Sequence, residues 1–253
     1  MRARLITNFN SIKEWKSYCF NAHSLYLKNK HFKKWINERD VYIFNFSSLK
    51  KGDIKYIKSG LEDAIKLARL HFKVFYGSIN SLKKIINLKD KKINSNKLSK
   101  TTHQRWVVFE HARKFLQNQY VIKSSDILKM TLKKRKESHK EQANIFIFKN
   151  PIKSSNAIIK DGEALTYVSE GIVIFTFEAF KKYSHNFLRC RAKHEALHLL
   201  GLNSHHEDIK VKGYKYNTLC NMNYNAPTQN LCKKCKDGLL SFWEGVKDVN
   251  KNA

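Results

Sequence analysis

The chain has 253 residues, and with 42% hydrophobic and 12% aromatic residues it carries enough apolar side chains for a packed core, which excludes global disorder. Its formal net charge of +28 makes a nucleic-acid partner possible. Such a partner is not favoured, because the basic residues are mostly lysines that are scattered along every segment rather than gathered into one basic stripe.

Neither a membrane-spanning segment nor a secretory signal is expected from the sequence. No apolar run approaches the ~20 residues that cross a bilayer, so no membrane partner is expected. Residues 1–6 lack the apolar core and small-residue cleavage site of a secretory signal. We therefore expect a cytoplasmic protein. The oligomeric state is not indicated.

The first predicted elements are helices and a β-α-β unit. Residues 1–40 carry aromatic residues at roughly helical spacings and are predicted to form a helical N-terminal extension to a main domain at 41–253. Within that domain, residues 41–46 and 72–76 are β-branched and aromatic, which predicts strands, and residues 54–70 show helical periodicity between them. Parallel pairing with a right-handed crossover is the expected geometry.

The rest of the chain continues the alternation of helices and strands. In order, the pattern predicts a loop at 88–100, a helix at 103–118, a mobile or loosely helical polar insertion at 123–143, a strand at 143–148, a strand region at 164–175 that reverses around Glu170 and Gly171, and a long helix at 177–200. The fold class is accordingly α/β (α+β), with a mixed twisted sheet.

The long helix ends in a motif that predicts a catalytic metal site. His194 and His198 are four residues apart, so on a helix both imidazoles lie on the same face and can bind one ion. Glu195 lies beside them, where its carboxylate can take a proton from metal-activated water and pass it to a leaving amine. Gly201 follows at a position typical of a helix end, and the chain can then return a third ligand from His205 or His206.

A second group of potential ligands lies close to the C-terminus. Cys232 and Cys235 form a C-x-x-C pair, and Cys220 precedes them. In a cytoplasmic chain, a C-x-x-C with a third cysteine and a nearby histidine is typical of a metal site rather than of a disulfide.

Together these motifs resemble the archaemetzincin family of metzincin metallopeptidases, whose pattern runs H-E-x-x-H-x-x-G-x-x-H-C, then C-x-M, then C-x-x-C. The resemblance covers the C-terminal third and extends weakly upstream to about residue 41. Two departures are present: Ser204 stands where the third histidine is expected, and the cysteine that follows that histidine in the family is His206 here.

The resemblance implies a peptidase that acts on peptides or proteins, with Glu195 as general base and two zinc ions, one catalytic and one structural. It implies that the catalytic ion is held by His194, His198 and His205 and the structural ion by His206, Cys220, Cys232 and Cys235. It also implies a packing role for Met222 beneath the catalytic metal and places substrate along an edge strand within 164–175. Tyr224 matches a metal-assisting tyrosine of other metzincins, but archaemetzincins do not generally use one.

The extra residue leaves the third ligand open. In a simply extended segment, a one-residue insertion would turn His206 toward the catalytic metal, whereas a bulge would restore His205 to that place. We favour His205, because His206 then occupies the place of the family's cysteine; Asp208 is an outside candidate. The alternative function is a catalytically inactive, basic binding module for nucleic acid or protein, built around a zinc ribbon.

Overall fold

The computed structural model describes residues 6–47, 49–78, 91–92, 120–138, 141–149, 152–153, 158–159, 162–177, 183–224 and 228–251. The predicted helix at 103–118 lies outside these residues, as does most of the predicted loop at 88–100. The described helices are α1 (Ile12–Leu27), α2 (Lys30–Glu38), α3 (Lys51–Leu67), α4 (Ser124–Ser138), α5 (His185–Leu199) and α6 (Lys233–Lys251). The strands are β1 (Thr7–Phe9), β2 (Asp40–Phe46), β3 (Lys73–Tyr76), β4 (Lys91–Lys92), β5 (Tyr120–Lys123), β6 (Ala143–Phe148), β7 (Ile152–Lys153), β8 (Ile158–Ile159), β9 (Ala164–Tyr167), β10 (Ile172–Thr176) and β11 (Ile209–Val211).

The main sheet has five strands in the order β3-β2-β6-β10-β9. The first four run parallel, and β9 pairs antiparallel with β10. Small strands form a second sheet in the order β4-β5-β7-β8, and β1 pairs in parallel with β11. This arrangement confirms the predicted mixed α/β class and the predicted strands at 41–46, 72–76 and 143–148.

The central strand β6 is buried on both faces. Ile145 and Ile147 belong to the core between the sheet and the helices α3 and α5, whereas Phe146 and Phe148 pack on the opposite face with Ile127 of α4. Successive side chains of a strand point to opposite faces, so a strand covered by helices on both sides needs a continuous apolar run. The sequence of β6 has this property.

The structure refines two expectations and corrects a third. Of the polar piece at 123–143, which was expected to be mobile or loosely helical, residues 124–138 form the helix α4, and this helix contributes to the core. The long helix does not begin at residue 177; α5 begins at His185, where the side chain of Ser184 caps its N-terminus. Within the predicted strand region at 164–175 the edge strand is β9, whereas β10, which precedes α5 in the described chain, lies inside the sheet.

The helix that carries the motif packs closely on its neighbours. α5 runs along α3, and at Gly60 the two backbones approach so closely that a Cβ atom would clash with the carbonyl oxygen of Arg189. At the N-terminus, α1 packs against α6, and the Trp15 indole donates a 3.0 Å hydrogen bond to the Lys234 carbonyl. The division of the chain at residue 40 stays a prediction. In the described part of the chain, no helix combines the length and the apolar character needed to cross a membrane.

Candidate functional site

The end of α5 turns the chain back toward its own last turn. Gly201 adopts a φ of +104°, and Leu202 N–H donates a 3.0 Å hydrogen bond to the Leu197 carbonyl, which is the Schellman type of helix end. A Cβ at position 201 would lie only 2.5 Å from the Phe242 ring, so glycine is required for space as well as for conformation. Because the chain reverses here, the residues that follow can reach the histidines of α5.

His194, His198 and His205 form the first group, which we call the histidine group. One potential ligand atom from each lies within 4.8 Å of the others, so the three residues could hold one metal ion. The Nε2 atoms of His194 and His198 are 3.1 Å apart. Two metal–nitrogen bonds of the length found with zinc, at a tetrahedral angle, span roughly 3.3 Å, so the donor spacing fits such an ion.

Backbone carbonyls fix the orientation of both α5 imidazoles. His194 Nδ1 lies 2.6 Å from the Asn221 carbonyl oxygen, and His198 Nδ1 lies 2.5 Å from that of Leu202. With Nδ1–H donating to a carbonyl, Nε2 keeps its lone pair for the metal. Burial lowers the pKa of His194, and the nearby positive charges of His198 and Arg191 act in the same direction, against Glu195 and the Asn221 hydrogen bond. The neutral ligand form is therefore favoured.

Glu195 is buried beside the histidine group, and Thr166 of the edge strand β9 donates a 2.7 Å hydrogen bond to its Oε2. Both residues line a cleft of about 660 Å³ that contains the histidine group. The cleft is lined by Tyr26, Glu163, Ala164, Leu165, Thr166, Val168, Arg191, His194, Glu195, His198, Asn203, His205 and Tyr224. A carboxylate and three imidazoles thus face one open space, with an edge strand along its wall.

Tyr224 and Asp208 surround His205. The rings of His205 and Tyr224 stack with centroids 3.6 Å apart, and the Tyr224 hydroxyl donates a 2.7 Å hydrogen bond to Asp208 Oδ2. The same Oδ2 lies 3.8 Å from His205 Nδ1. Asp208, considered above as an alternative ligand, is therefore a neighbour of His205 and not a member of either ligand group.

His206, Cys220, Cys232 and Cys235 form the second group, which we call the cysteine group, and all four are buried. The Sγ atoms of Cys220 and Cys235 are 3.7 Å apart, and His206 Nδ1 lies 3.2 Å from Cys232 Sγ and 3.5 Å from Cys235 Sγ. A tetrahedral zinc spans roughly 3.8 Å between two sulfurs and roughly 3.6 Å between sulfur and nitrogen. The donor set is closed and fits one such ion.

Hydrogen bonds within the cysteine group shift the pKa values of its thiols in opposite directions. Hydrogen bonds with Cys232 and Cys235 lower the pKa of the Cys220 thiol, whereas hydrogen bonds with Cys220 and Cys232, followed by burial, raise that of Cys235. Burial by itself lowers the pKa of His206, but its hydrogen bonds to Cys220 and Cys232 outweigh burial and bring it to about 9. The buried Lys234 ammonium donates to the carbonyls of His206 and Ile209 and adds a positive charge beside the thiols.

The adjacent residues His205 and His206 belong to different ligand groups. His205 is extended, with φ −69° and ψ 155°, and a short 3-10 helix begins at His206. His206 N–H donates a 2.9 Å hydrogen bond to the carbonyl of Met222, whose side chain is fully buried. A helical turn, rather than the strand bulge considered above, therefore follows His205. It directs His205 to the histidine group and His206 to the cysteine group.

Several residues of the site could not be predicted from the sequence. Thr166, Tyr26 and Asn203 carry no motif, and nothing in their spacing distinguishes them from ordinary strand, helix and loop residues. Asn221 gave one signal, since it lies inside the C-x-M pattern; its buried amide donates to the carbonyls of Cys190 and Thr228 and so holds the carbonyl that orients His194.

Comparison with known proteins found no family model, no curated protein and no solved structure that matches this chain. The assignment of a function therefore depends on the geometry of the two ligand groups and of the cleft. On that basis the chain has two buried or half-buried clusters that could each bind a metal ion.

Proposed function

We propose that this protein is a zinc-dependent peptidase of archaemetzincin type. The proposal is carried by one observation: the histidine group and the Glu195 carboxylate face the same cleft, whose wall is the edge strand β9. Three imidazoles with an open fourth position are typical of catalytic zinc, whereas the closed set of one histidine and three cysteines is typical of structural zinc.

The residues have distinct roles in this proposal. His194, His198 and His205 hold the catalytic zinc, which when bound supplies Lewis acidity toward the scissile carbonyl and toward water. Glu195 takes a proton from the attacking water and delivers it to the amine nitrogen as the peptide bond breaks. The hydrogen bond from Thr166 holds the Glu195 carboxylate in place.

The edge strand offers a way to bind an extended peptide. Within the described chain β9 pairs with β10 alone, so the backbone groups on its other side face away from the sheet. A substrate backbone can pair with such an edge, which provides binding that does not depend on substrate sequence. Thr166 belongs to this strand, so substrate bound along it passes the general base.

The test is cleavage of a fluorogenic peptide library by purified protein of known metal content. Glu195→Gln should lower kcat/KM by about a hundredfold or more while leaving the metal content unchanged. Glu62→Gln, a carboxylate on the exposed face of α3 that pairs with Lys58, is the matched control and should cleave like the wild type.

Two outcomes would contradict the proposal. Undiminished cleavage by Glu195→Gln would exclude Glu195 as the base. A metal-loaded protein that cleaves no peptide but binds RNA or DNA with a steep salt dependence would instead favour the inactive binding module.

A further inference from the structure

α5 carries three cations at alternate positions, Arg189, Arg191 and Lys193, and their surroundings differ. Arg189 forms a two-pronged ion pair with Asp63, with distances of 2.8 Å from Nε and 3.1 Å from Nη2. The Lys193 ammonium is buried and donates a 2.5 Å hydrogen bond to the carbonyl of Gln229. Both of these cations are thus already bound to groups of the protein itself.

Arg191 is different because it lines the cleft. Its guanidinium lies over the ring of Phe187, 5.7 Å from the centroid, and no hydrogen bond or ion pair joins it to another residue in the part of the chain that the structure describes. A guanidinium over a ring presents its N–H donors around its edge, so this contact leaves them available to an anion.

The position of Arg191 relative to the catalytic residues is fixed by the helix. It precedes His194 by three residues and Glu195 by four, so it lies on the same face of α5, one turn from the general base. A side chain a few residues from the scissile bond of a peptide bound along β9 would come within reach of it.

We propose that Arg191 binds a carboxylate of the substrate, so that the enzyme prefers peptides with an acidic group near the scissile bond. This inference rests on the proposed peptidase function and adds a substrate class to it. Planar guanidinium groups match carboxylates with two parallel hydrogen bonds, and a half-buried cleft strengthens such bonds relative to open solvent.

Glu163 leads to the opposite expectation about substrate preference. It also lines the cleft, at the start of β9, and a carboxylate there would favour basic peptides and oppose acidic ones. The two residues thus predict opposite substrate preferences, and the sign of the preference decides between them.

The experiment uses zinc-loaded protein and peptides that are identical except for Glu, Gln or Lys at one position, scanned along both sides of the scissile bond, all with amidated C-termini. A further neutral peptide with a free C-terminus distinguishes a terminal carboxylate from a side chain. We expect kcat/KM to be about 10- to 100-fold higher for the preferred carboxylate peptide than for its neutral counterpart.

The variants assign this preference to one side chain. Arg191→Ala should bring the Glu-to-Gln ratio of kcat/KM close to one, Arg191→Lys should keep part of it, and Arg191→Glu should reverse it in favour of Lys. Arg189→Ala removes a cation from the same helix outside the cleft and should keep the wild-type ratio. A wild-type preference for Lys, or an unchanged ratio in Arg191→Ala, would overturn the proposal.

Binding of the same peptides to zinc-loaded Glu195→Gln, followed by fluorescence anisotropy, separates this inference from the peptidase proposal. If no peptide is cleaved but Glu peptides bind tighter and lose this advantage in Glu195→Gln/Arg191→Ala, the peptidase proposal fails and the carboxylate site stands. If peptides are cleaved without any preference for Glu, the peptidase proposal stands and the carboxylate site fails.

Discussion

Thr166 on the edge strand β9 donates a 2.7 Å hydrogen bond to Glu195 on α5, which joins the wall that would bind substrate to the proposed general base. Thr166→Val removes the donor while keeping the shape of the side chain. We expect kcat/KM to fall about tenfold, because a carboxylate that loses its orienting hydrogen bond is held less firmly in the productive position. Thr166→Ser should restore most of the activity, and metal content should not change in either variant. A loss of activity in Thr166→Ser with none in Thr166→Val would show that the methyl group, and not the hydroxyl, matters.

The two ligand groups should respond differently to loss of a ligand. Cys232→Ser opens the closed cysteine group and should lower the free energy of unfolding by roughly 3 kcal/mol or more, because metal binding at a structural site contributes directly to folding. His198→Ala should abolish peptide cleavage and release one ion with a smaller loss of stability. Denaturant unfolding and metal analysis of both variants measure the difference. Similar destabilisation would contradict the division of roles.

The adjacent histidines provide a sharper test of the same division. His205→Ala should remove activity and retain the ion of the cysteine group, whereas His206→Ala should release that ion first, because only its imidazole lies among the sulfurs. Metal content after graded treatment with a chelator measures which ion each variant loses. The reverse pattern would mean that His206, and not His205, binds the ion of the histidine group.

Tyr224 should act mainly through its ring, which stacks on His205 at a centroid distance of 3.6 Å. We expect Tyr224→Ala to weaken zinc binding at the histidine group about 10- to 100-fold, as is typical when a residue that orients a metal ligand is lost. Tyr224→Phe keeps the ring and should retain most of the affinity. Competition with a chromogenic chelator measures both. A loss of affinity in Tyr224→Phe as large as in Tyr224→Ala would assign the effect to the hydroxyl and its bond to Asp208.

Cys19 should make the stability of the protein sensitive to alkaline pH. Burial raises the pKa of its thiol from 9.0 to about 12. Above pH 9 the thiol ionises in the unfolded chain but stays protonated in the fold, so its contribution is complete below pH 9 and is lost as pH rises toward 12. The loss is on the order of 1 kcal/mol per pH unit. Denaturant unfolding of zinc-loaded wild type and Cys19→Ala at pH 8 and pH 10.5 measures it; parallel declines in the two proteins would contradict it.

Local spacing in the sequence explains the features that were predicted correctly. The strands at 41–46, 72–76 and 143–148 follow from short runs of β-branched and aromatic residues, and the pairing of His194 with His198 follows from the pitch of a helix. Such features depend on neighbours a few residues away, so one sequence is sufficient to predict them. The predicted start of α5 at residue 177 was wrong. Apolar residues before Ser184 continue the helical pattern in the sequence, but Ser184 caps the helix, which begins only at His185.

The sequence by itself determined the chemistry that this chain carries: two α5 histidines beside a glutamate, a glycine that ends the helix, and a set of cysteines suited to a metal. Tertiary structure decided which groups meet. Strand order placed β9 at the edge of the sheet, and the 3-10 turn after His205 separated two adjacent histidines into different ligand groups. Thr166 meets Glu195 across 29 positions of sequence. Contacts between distant segments arise from the packing of whole elements, and no local pattern in the sequence encodes them.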